Sequence, residues 1–156
     1  MNIKIIAVGK IKENYSKEAM NEYIKRLSPF CGFSVVEVAA EQINDECLCE
    51  KYKKAEAARI LPHIKENSFV ITLEINGKSF SSEEFAQKLK MLSNDGYNEL
   101  VFIIGGANGL DKEISNISNL KLSFSKMTFT HQMIRIILTE QIYRAFKINN
   151  NEKYHR

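Results

Sequence analysis

A cluster of glycines follows a strongly apolar run and could let the backbone approach a ligand closely. Gly105, Gly106 and Gly109 come directly after residues 100–104, and glycine tolerates both close approach and positive φ. The pattern is not GxGxxG, because Ala107 stands where the second required glycine would be, and no Gly-Lys-Ser/Thr closes a phosphate-binding loop. The cluster therefore disfavours a conventional dinucleotide site and predicts either a ligand-contacting loop or a tight strand-to-helix turn.

Histidine and cysteine give little support to metal or nucleophilic chemistry. His63, His131 and His155 lie far apart, with no HxxxH or HExxH pair, and no GxSxG elbow is present. Cys47 and Cys49 are separated by one residue and have acidic neighbours, which disfavours both a zinc knuckle and a reactive thiolate. We expect no metal, and all three cysteines reduced.

Positive charge is concentrated at the C-terminal end, although the net charge is only +3. Residues 1–120 carry 15 Lys and Arg against 17 Asp and Glu, whereas residues 121–156 carry seven against two. This asymmetry favours an anionic partner, such as nucleic acid, for the C-terminal part. A solvated basic face fits the same numbers, so charge alone does not identify the partner.

The 156-residue chain has the length of one domain and the composition of a globular protein, with 44% hydrophobic and 26% charged residues. We therefore expect a single domain over residues 1–156. No apolar run is long enough to span a bilayer and no signal-peptide pattern begins the chain, so we expect a cytoplasmic protein without a membrane partner.

Apolar, β-branched runs alternate with segments of helical spacing. The predicted strands are residues 3–8, 33–39, 68–73, 100–104 and 120–123. The predicted helices are residues 15–27, 46–64, a segment capped by Ser81 or Ser82, the short segment 111–119, and residues 131–146 with Thr130 as N-cap. This order predicts an α/β fold with a mostly parallel sheet, helices on both faces, and a ligand at the carboxyl ends of the strands.

The last predicted helix has the clearest pattern of the chain. Its main stripe comprises Ile134, Ile137, Leu138, Gln141 and Ala145, while Arg135, Thr139 and Arg144 fall off that stripe.

Four motifs in a fixed order make the sequence more informative than any one of them. They are residues 73–78 (LEINGK), residues 102–109 (FIIGGANG), residues 122–128 (LSFSKMT), and HQMIR through EQIYRA over residues 131–145, followed by a terminal Tyr-His-Arg. In these motifs the whole chain resembles the SPOUT-class RlmH family of 23S rRNA (pseudouridine-N3)-methyltransferases.

The resemblance implies a C-terminal trefoil knot, a homodimer and S-adenosylmethionine as methyl donor, with the ribosome's 23S rRNA as substrate. Carried over position by position, it implies cofactor contacts at Leu73, Gly105, Phe124, Ser125, Lys126, Met127, Thr128 and Phe129. The chain departs from the family pattern at Asn108, where an aromatic residue is expected, and at Phe124, where leucine is expected. Within this resemblance, the absence of a side chain at Gly105 would leave space for the adenosine.

The same resemblance assigns catalytic roles to the C-terminal part. His155 would accept or shuttle the N3 proton of the pseudouridine, Tyr154 would orient the base, and Arg144 would hold a phosphate or the ring. Apolar walls would favour a reaction in which a sulfonium loses its charge. Two alternatives remain from the residues alone: a non-catalytic RNA-binding or ribosome-associated module, and an α/β enzyme that binds a phosphorylated ligand at the glycine loop.

Overall fold

Five parallel strands form the centre of the molecule in the computed structural model, which describes residues 1–42 and 44–154. The strands are β1 (Asn2–Val8), β2 (Gly32–Val38), β3 (Ser68–Lys78), β4 (Glu99–Ile104) and β5 (Leu120–Leu122). Their order in the sheet is β2-β1-β4-β3-β5, and all four neighbouring pairs are parallel. The predicted strands are confirmed to within one residue at each end, except that β3 continues beyond Leu73 to Lys78.

The helices between the strands begin and end largely where the sequence predicts. They are α1 (Asn14–Leu27), α2 (Cys49–Ile60), α3 (Ser82–Asn94), α4 (Lys112–Ile117) and α5 (His131–Asn149). The predicted helix over residues 46–64 is shorter, because 3₁₀ turns at Glu46–Leu48 and Leu61–His63 flank α2 and the second contains Pro62. Ser81 forms a capping box with Glu84, and the Thr130 side chain accepts from the backbone N–H of Met133.

Apolar side chains alternate between the two faces of the sheet, and each face is covered by helices. Ile5 and Phe102 pack in the core beneath α1, α3 and α5, whereas Ile6 and Val101 pack in the core beneath α2 and α4. The predicted α/β architecture with helices on both faces is therefore confirmed. The trefoil knot stays a prediction.

Helix α5 buries only part of the face that its apolar pattern indicates, since Leu138 and Ala145 of the predicted stripe are completely buried. Arg135 and Thr139 are completely buried, whereas Ile134, Ile137 and Gln141 of the predicted stripe are only partly buried. The inward rotation is possible because the guanidinium of Arg135 finds hydrogen-bond partners in the sheet. A buried charge is tolerated when it is paired and hydrogen-bonded in this way.

Beyond Leu73, strand β3 bulges around β5. Leu122 pairs with both Leu73 and Lys78, so residues 74–77 form the extra loop of a bulge. A Cβ at Gly77 would lie 2.7 Å from the backbone of both Lys121 and Leu122, so only glycine fits there without a shift. The bulge brings residues 74 and 75 to the carboxyl end of β5, where Ser123 donates its hydroxyl to the carbonyl of Ile75 at 2.9 Å.

Candidate active site

A cleft of about 540 Å³ opens at the carboxyl ends of β3, β4 and β5. It is lined by residues at or after the ends of these strands and by the start of α5. The former are residues 73–75, 104–107 with 109–110, 122–125 and 127–130, and the latter are His131, Gln132 and Ile134. In parallel sheets the carboxyl ends of strands are where ligands bind, and this volume falls in the usual range for small-molecule sites.

Most of the residues expected to contact a cofactor meet in this cleft. Seven of the eight line it: Leu73, Gly105, Phe124, Ser125, Met127, Thr128 and Phe129. Lys126 belongs to the same segment, but its side chain is exposed and does not line the cleft. Leu73 and Gly105 are 32 positions apart in the chain, and Gly105 and Phe124 are 19 apart, yet the three segments converge on one space. Cofactor binding by each residue stays a prediction.

The glycines at positions 105 and 106 are required by close packing within and around the loop itself. A Cβ at Gly105 would lie 2.8 Å from the carbonyl carbon of Gly109 and 3.1 Å from the side chain of Leu110. At Gly106 a Cβ would lie 3.1 Å from both Glu56 and Val8. The space that the missing side chain at Gly105 leaves is therefore taken up by the loop, which differs from the expectation that it makes room for an adenosine.

Glu74 is the one carboxylate among the described residues that line the cleft, and no lysine or arginine of the described residues lines it. Its Oε1 accepts hydrogen bonds from the hydroxyl groups of Thr72 at 2.7 Å and Ser115 at 2.9 Å. Burial lowers the pKa of His131, and the positive charges of Arg135 and Lys12 lower it further. The cleft is thus apolar with a single anionic group.

The sequence pattern predicts no role in the cleft for either Glu74 or His131. Glu74 lies in a quoted motif, directly after Leu73, and its position at the end of a buried strand was the available signal. His131 begins α5, a position that indicated only a helix start. The sequence pattern predicts neither the bulge in β3 nor the approach of α5 to that edge of the sheet.

The first turn of α5, which forms one wall of the cleft, is anchored to the end of β1. Gln132 Oε1 accepts from the backbone N–H of Lys12 at 3.0 Å. Arg135 donates to the carbonyl oxygens of Val8 at 2.8 Å and Gly9 at 2.9 Å, and to Glu37 Oε1 at 2.9 Å. Burial lowers the pKa of Arg135 while Glu37 opposes that effect. These contacts fix the helix relative to the sheet.

The predicted catalytic residues Arg144 and Tyr154 lie together, but away from the cleft of their own chain. The guanidinium carbon of Arg144 is 4.8 Å from the centre of the Tyr154 ring, and both side chains hydrogen-bond Glu140. Arg144 lies ten positions after Ile134, the last residue of α5 that lines the cleft, which is about 15 Å along the helix. The third predicted catalytic residue, His155, lies outside the described residues.

Burial, hydrogen bonding to Tyr23 and the nearby charge of Glu140 raise the pKa of Tyr154. The phenol therefore keeps its proton at neutral pH and acts as a hydrogen-bond donor.

Residues 1–42 and 44–154 contain neither a metal centre nor a membrane span. No group of three or more His, Cys, Asp and Glu side chains in that part of the chain could hold a metal ion. No helix in the same part is long and apolar enough to cross a membrane.

A parallel α/β sheet with an apolar cleft at the ends of its C-terminal strands is the architecture of one class of methyltransferase. The chain belongs to the SPOUT methyltransferase family: the family described as "Predicted SPOUT methyltransferase" matches residues 1–155. Members of this family use S-adenosylmethionine, and the chain is accordingly an S-adenosylmethionine-dependent methyltransferase.

Two full-length relatives narrow the family to one branch. The chain is 51% identical to "Ribosomal RNA large subunit methyltransferase H" of Clostridium novyi, and 54% identical to "Putative ribosomal RNA large subunit methyltransferase H" of Methanococcus maripaludis. In both comparisons all of each chain is covered. The family resemblance inferred from the four motifs is thereby confirmed.

A solved structure shows the same fold at much lower identity. The structure of a probable methylase family protein from Haemophilus influenzae is 14% identical, with a TM-score of 0.53 over 99% of this chain and 70% of that chain. The likeness supports the fold alone.

The residues of the cleft fit S-adenosylmethionine. Leu73, Phe124 and Phe129 supply apolar walls, and Ser125 and Thr128 supply hydroxyl groups for a polar ligand. Glu74 adds one negative charge, which suits a ligand whose net charge is positive.

Proposed function

We propose that the cleft binds S-adenosylmethionine and that the protein methylates N3 of a pseudouridine in 23S ribosomal RNA, on assembled ribosomes in the cytoplasm. One observation carries the proposal: seven residues from three separate segments, which the family resemblance associates with the cofactor, line a single cleft. The names of the two full-length relatives support ribosomal RNA of the large subunit as the substrate. Three free cysteines agree with a reducing compartment.

The chain's own residues would shape the cleft, exclude water from it and orient the bound ligand. When bound, S-adenosylmethionine supplies a methyl group activated by a sulfonium sulfur. Leu73, Phe124 and Phe129 would exclude water, which favours a reaction that reduces positive charge. The backbone of the glycine loop would hold the ligand in one orientation, and orientation alone can be worth roughly 7–11 kcal/mol of a reaction barrier.

The target base would be held by the cluster of Arg144, Tyr154 and Glu140. Because Tyr154 keeps its proton, it would donate a hydrogen bond to a carbonyl oxygen of the base rather than act as its proton acceptor. Arg144 presents a planar fork suited to a phosphate or a ring carbonyl. Proton acceptance is left to His155, as the family resemblance implies.

A homodimer would bring this cluster to the cleft of a second subunit. Within one chain Arg144 lies about 15 Å along α5 from Ile134, the last residue of the helix that lines the cleft, and neither Arg144 nor Tyr154 lines it, so an isolated subunit does not combine the two. Exposed apolar side chains surround the cleft and the start of α5: Ile75 at 52%, Met127 at 76%, Phe129 at 38% and Met133 at 43%. Such a patch is typical of a surface that a partner covers.

The experiment is transfer of tritiated methyl groups from S-adenosylmethionine to ribosomes of a strain lacking this protein. We expect incorporation into 23S rRNA of assembled ribosomes, mass mapping of the methyl group to N3 of a pseudouridine, and no incorporation when that uridine is not pseudouridylated. Calorimetric titration with S-adenosylmethionine and ATP accompanies it. Binding of neither ligand, with retained ribosome binding, would instead support the non-catalytic RNA-binding module.

A further inference from the structure

The carboxylate of Glu74 is fixed in place at the cleft. Its Oε1 accepts from the hydroxyl of Thr72, which is completely buried, and Ser115 donates to the same carboxylate at 2.9 and 3.1 Å. Thr72 also lies 3.0 Å from the hydroxyl of Ser118, which can donate to it and so leave the Thr72 proton for Glu74. Two hydroxyl donors hold the carboxylate and leave part of its accepting capacity free, because a carboxylate has about four lone-pair sites.

The negative charge of Glu74 has no cationic partner. No ion pair involves Glu74 in the described part of the chain, although the described carboxylates of Glu37, Glu99 and Glu140 all have one. His131, which also lines the cleft, has a pKa lowered by burial and by the positive charges of Arg135 and Lys12, so its neutral form is favoured. Inside a largely apolar cleft, an unpaired charge acts over a longer distance than it does in water.

We infer that Glu74 gives the cleft a preference for the methyl donor, which carries a sulfonium charge, over the product of methyl transfer, which lacks that charge and has no net charge. This inference rests on the proposed binding of S-adenosylmethionine in this cleft. Methyl transfer forms the N3–CH₃ bond and breaks the S–CH₃ bond, whose electron pair stays on sulfur, while the N3 proton leaves to a base. The sulfonium thereby becomes a neutral thioether, and S-adenosylhomocysteine lacks the charge that Glu74 attracts.

The consequence is functional, since an enzyme that binds its product as tightly as its substrate is inhibited as that product accumulates. The attraction that favours binding of the donor ends when the methyl group leaves, which promotes release of S-adenosylhomocysteine. Glu74 is therefore a residue that selects by charge. Adenosine and the amino-acid part are common to both ligands, and the apolar walls by themselves disfavour the sulfonium charge, so a preference for the donor has to come from Glu74.

The test compares the affinities of the wild-type protein and of Glu74→Gln for three ligands by calorimetry. These are S-adenosylmethionine, S-adenosylhomocysteine, and sinefungin, in which a carbon bearing an ammonium group replaces the sulfonium. Glutamine keeps the size of the side chain and can still accept from Ser115. Glu113→Gln is the matched control, because Glu113 is an exposed glutamate of α4 that does not line the cleft.

We expect Glu74→Gln to weaken S-adenosylmethionine and sinefungin by about tenfold relative to S-adenosylhomocysteine, as loss of one charge–charge attraction predicts. Glu113→Gln should leave the relative affinities unchanged. Equal weakening of all three ligands would overturn the inference, because Glu74 would then contact a group that they share. Unchanged affinities would overturn it as well.

Salt gives a second measurement that needs no variant. Raising sodium chloride from about 50 mM to about 500 mM should weaken binding of S-adenosylmethionine to the wild-type protein more than binding of S-adenosylhomocysteine. The net charge of the chain is +3, so screening of the whole protein would act in the opposite direction. If the wild-type protein binds neither ligand, the proposed function fails; if it binds both with equal salt dependence, only the inference about Glu74 fails.

Discussion

Arg135 donates a hydrogen bond to the carbonyl oxygen of Val8 at 2.8 Å, although the two residues lie 127 positions apart in the chain. The contact joins the first turn-and-a-half of α5 to the end of the first strand. Since α5 and the segment before it form one wall of the cleft, the position of that wall depends on a buried guanidinium. Its Nε is the one buried side-chain nitrogen or oxygen of the described residues without a hydrogen-bond partner.

Replacing Arg135 by methionine should strongly reduce stability. The substitution keeps most of the volume but removes the guanidinium that donates to the carbonyls of Val8 and Gly9, and it leaves Glu37 with only the backbone N–H of Ile11 as a donor. We expect the free energy of unfolding in urea to fall by about 3 kcal/mol, as when one partner of a buried pair is removed. Arg59→Met is the matched control: Arg59 also donates to a carbonyl and a glutamate, but it is 40% exposed, so a loss below about 1 kcal/mol is expected.

If the two arginine variants lose the same stability, the buried contacts of Arg135 do not anchor α5. A further measurement separates anchoring from general stability: Arg135→Lys at low temperature, where it remains folded, should still bind S-adenosylmethionine less tightly than the wild type.

Gly105→Ala should weaken cofactor binding through the shape of the loop. A Cβ would lie 2.8 Å from the carbonyl carbon of Gly109, which is too close, so the turn must open and the cleft wall must move. We expect at least a tenfold loss of S-adenosylmethionine affinity by calorimetry, about 1.4 kcal/mol or more. Gly96→Ala is the control, because a methyl group at Gly96, in the turn before β4, would have nothing within 4 Å.

Gly96 has a φ of +87°, so its substitution by alanine costs some stability through backbone strain. Cofactor affinity should nevertheless stay at the wild-type level. Normal affinity of a folded Gly105→Ala protein would contradict the close contact with Gly109.

Stability should depend on pH through His131. Its folded pKa lies below the ordinary value of 6.5, so the unfolded chain takes up a proton more readily than the folded protein. The stability contributed by the neutral imidazole is therefore present above about pH 6.5 and is lost as the pH falls toward the lowered folded pKa. Urea unfolding of the wild type and of His131→Asn, from about pH 7.5 to about pH 5, should show a stability difference that shifts against the wild type as the pH falls.

The comparison with a variant is needed because titration of Glu56 changes the free energy of unfolding with pH in the opposite direction to titration of His131. Burial is the largest cause of the raised pKa of Glu56, so its contribution is present below about pH 4.5 and is lost as the pH rises through the folded value. That contribution is common to both proteins and cancels in the difference. A difference that is constant over the range would count against a lowered pKa at His131.

The features that the sequence predicts correctly depend on residues close together in the chain, and those that it does not predict depend on contacts between residues far apart. The strand ends other than that of β3, the cap of α3 at Ser81 and the N-cap at Thr130 follow from neighbouring residues, and they are predicted correctly. The burial of Arg135 on α5 is not predicted, since Arg135 looks like a surface residue until Val8, Gly9 and Glu37 are placed around it. The role of Glu74 in the cleft depends likewise on a bulge closed by contact of Gly77 with β5.

Arg144→Ala should weaken RNA binding more than cofactor binding. Arg144 lies outside the cleft and pairs with Glu140 four residues earlier, at 2.5 Å, so its removal leaves the cleft lining intact. If its guanidinium contacts a phosphate, the log–log salt dependence of RNA affinity should lose about one unit of slope, as release of one counterion predicts. Lys53→Ala, which breaks a comparable pair with Glu50 on α2, should change neither quantity. An unaltered slope for Arg144→Ala would exclude a phosphate contact.

The C-terminal tripeptide should be needed for reaction but not for cofactor binding. Chain ends are commonly dispensable, yet the ring of Tyr154 packs against Tyr143 at 4.8 Å between centroids and against the guanidinium of Arg144, which gives Tyr154 a defined position. A chain ending at Lys153 should stay folded and bind S-adenosylmethionine normally, but lose at least about 100-fold in methyl transfer, since general acid–base catalysis typically contributes that much.

His155→Ala should reproduce much of the loss. Tyr154→Phe should cause less, because it keeps the ring contacts and removes only the hydrogen bond. Tritiated methyl incorporation into pseudouridylated ribosomes measures the transfer, and calorimetry measures the cofactor affinity. Transfer by the truncated chain at the full-length rate would remove Tyr154 and His155 from the catalytic residues.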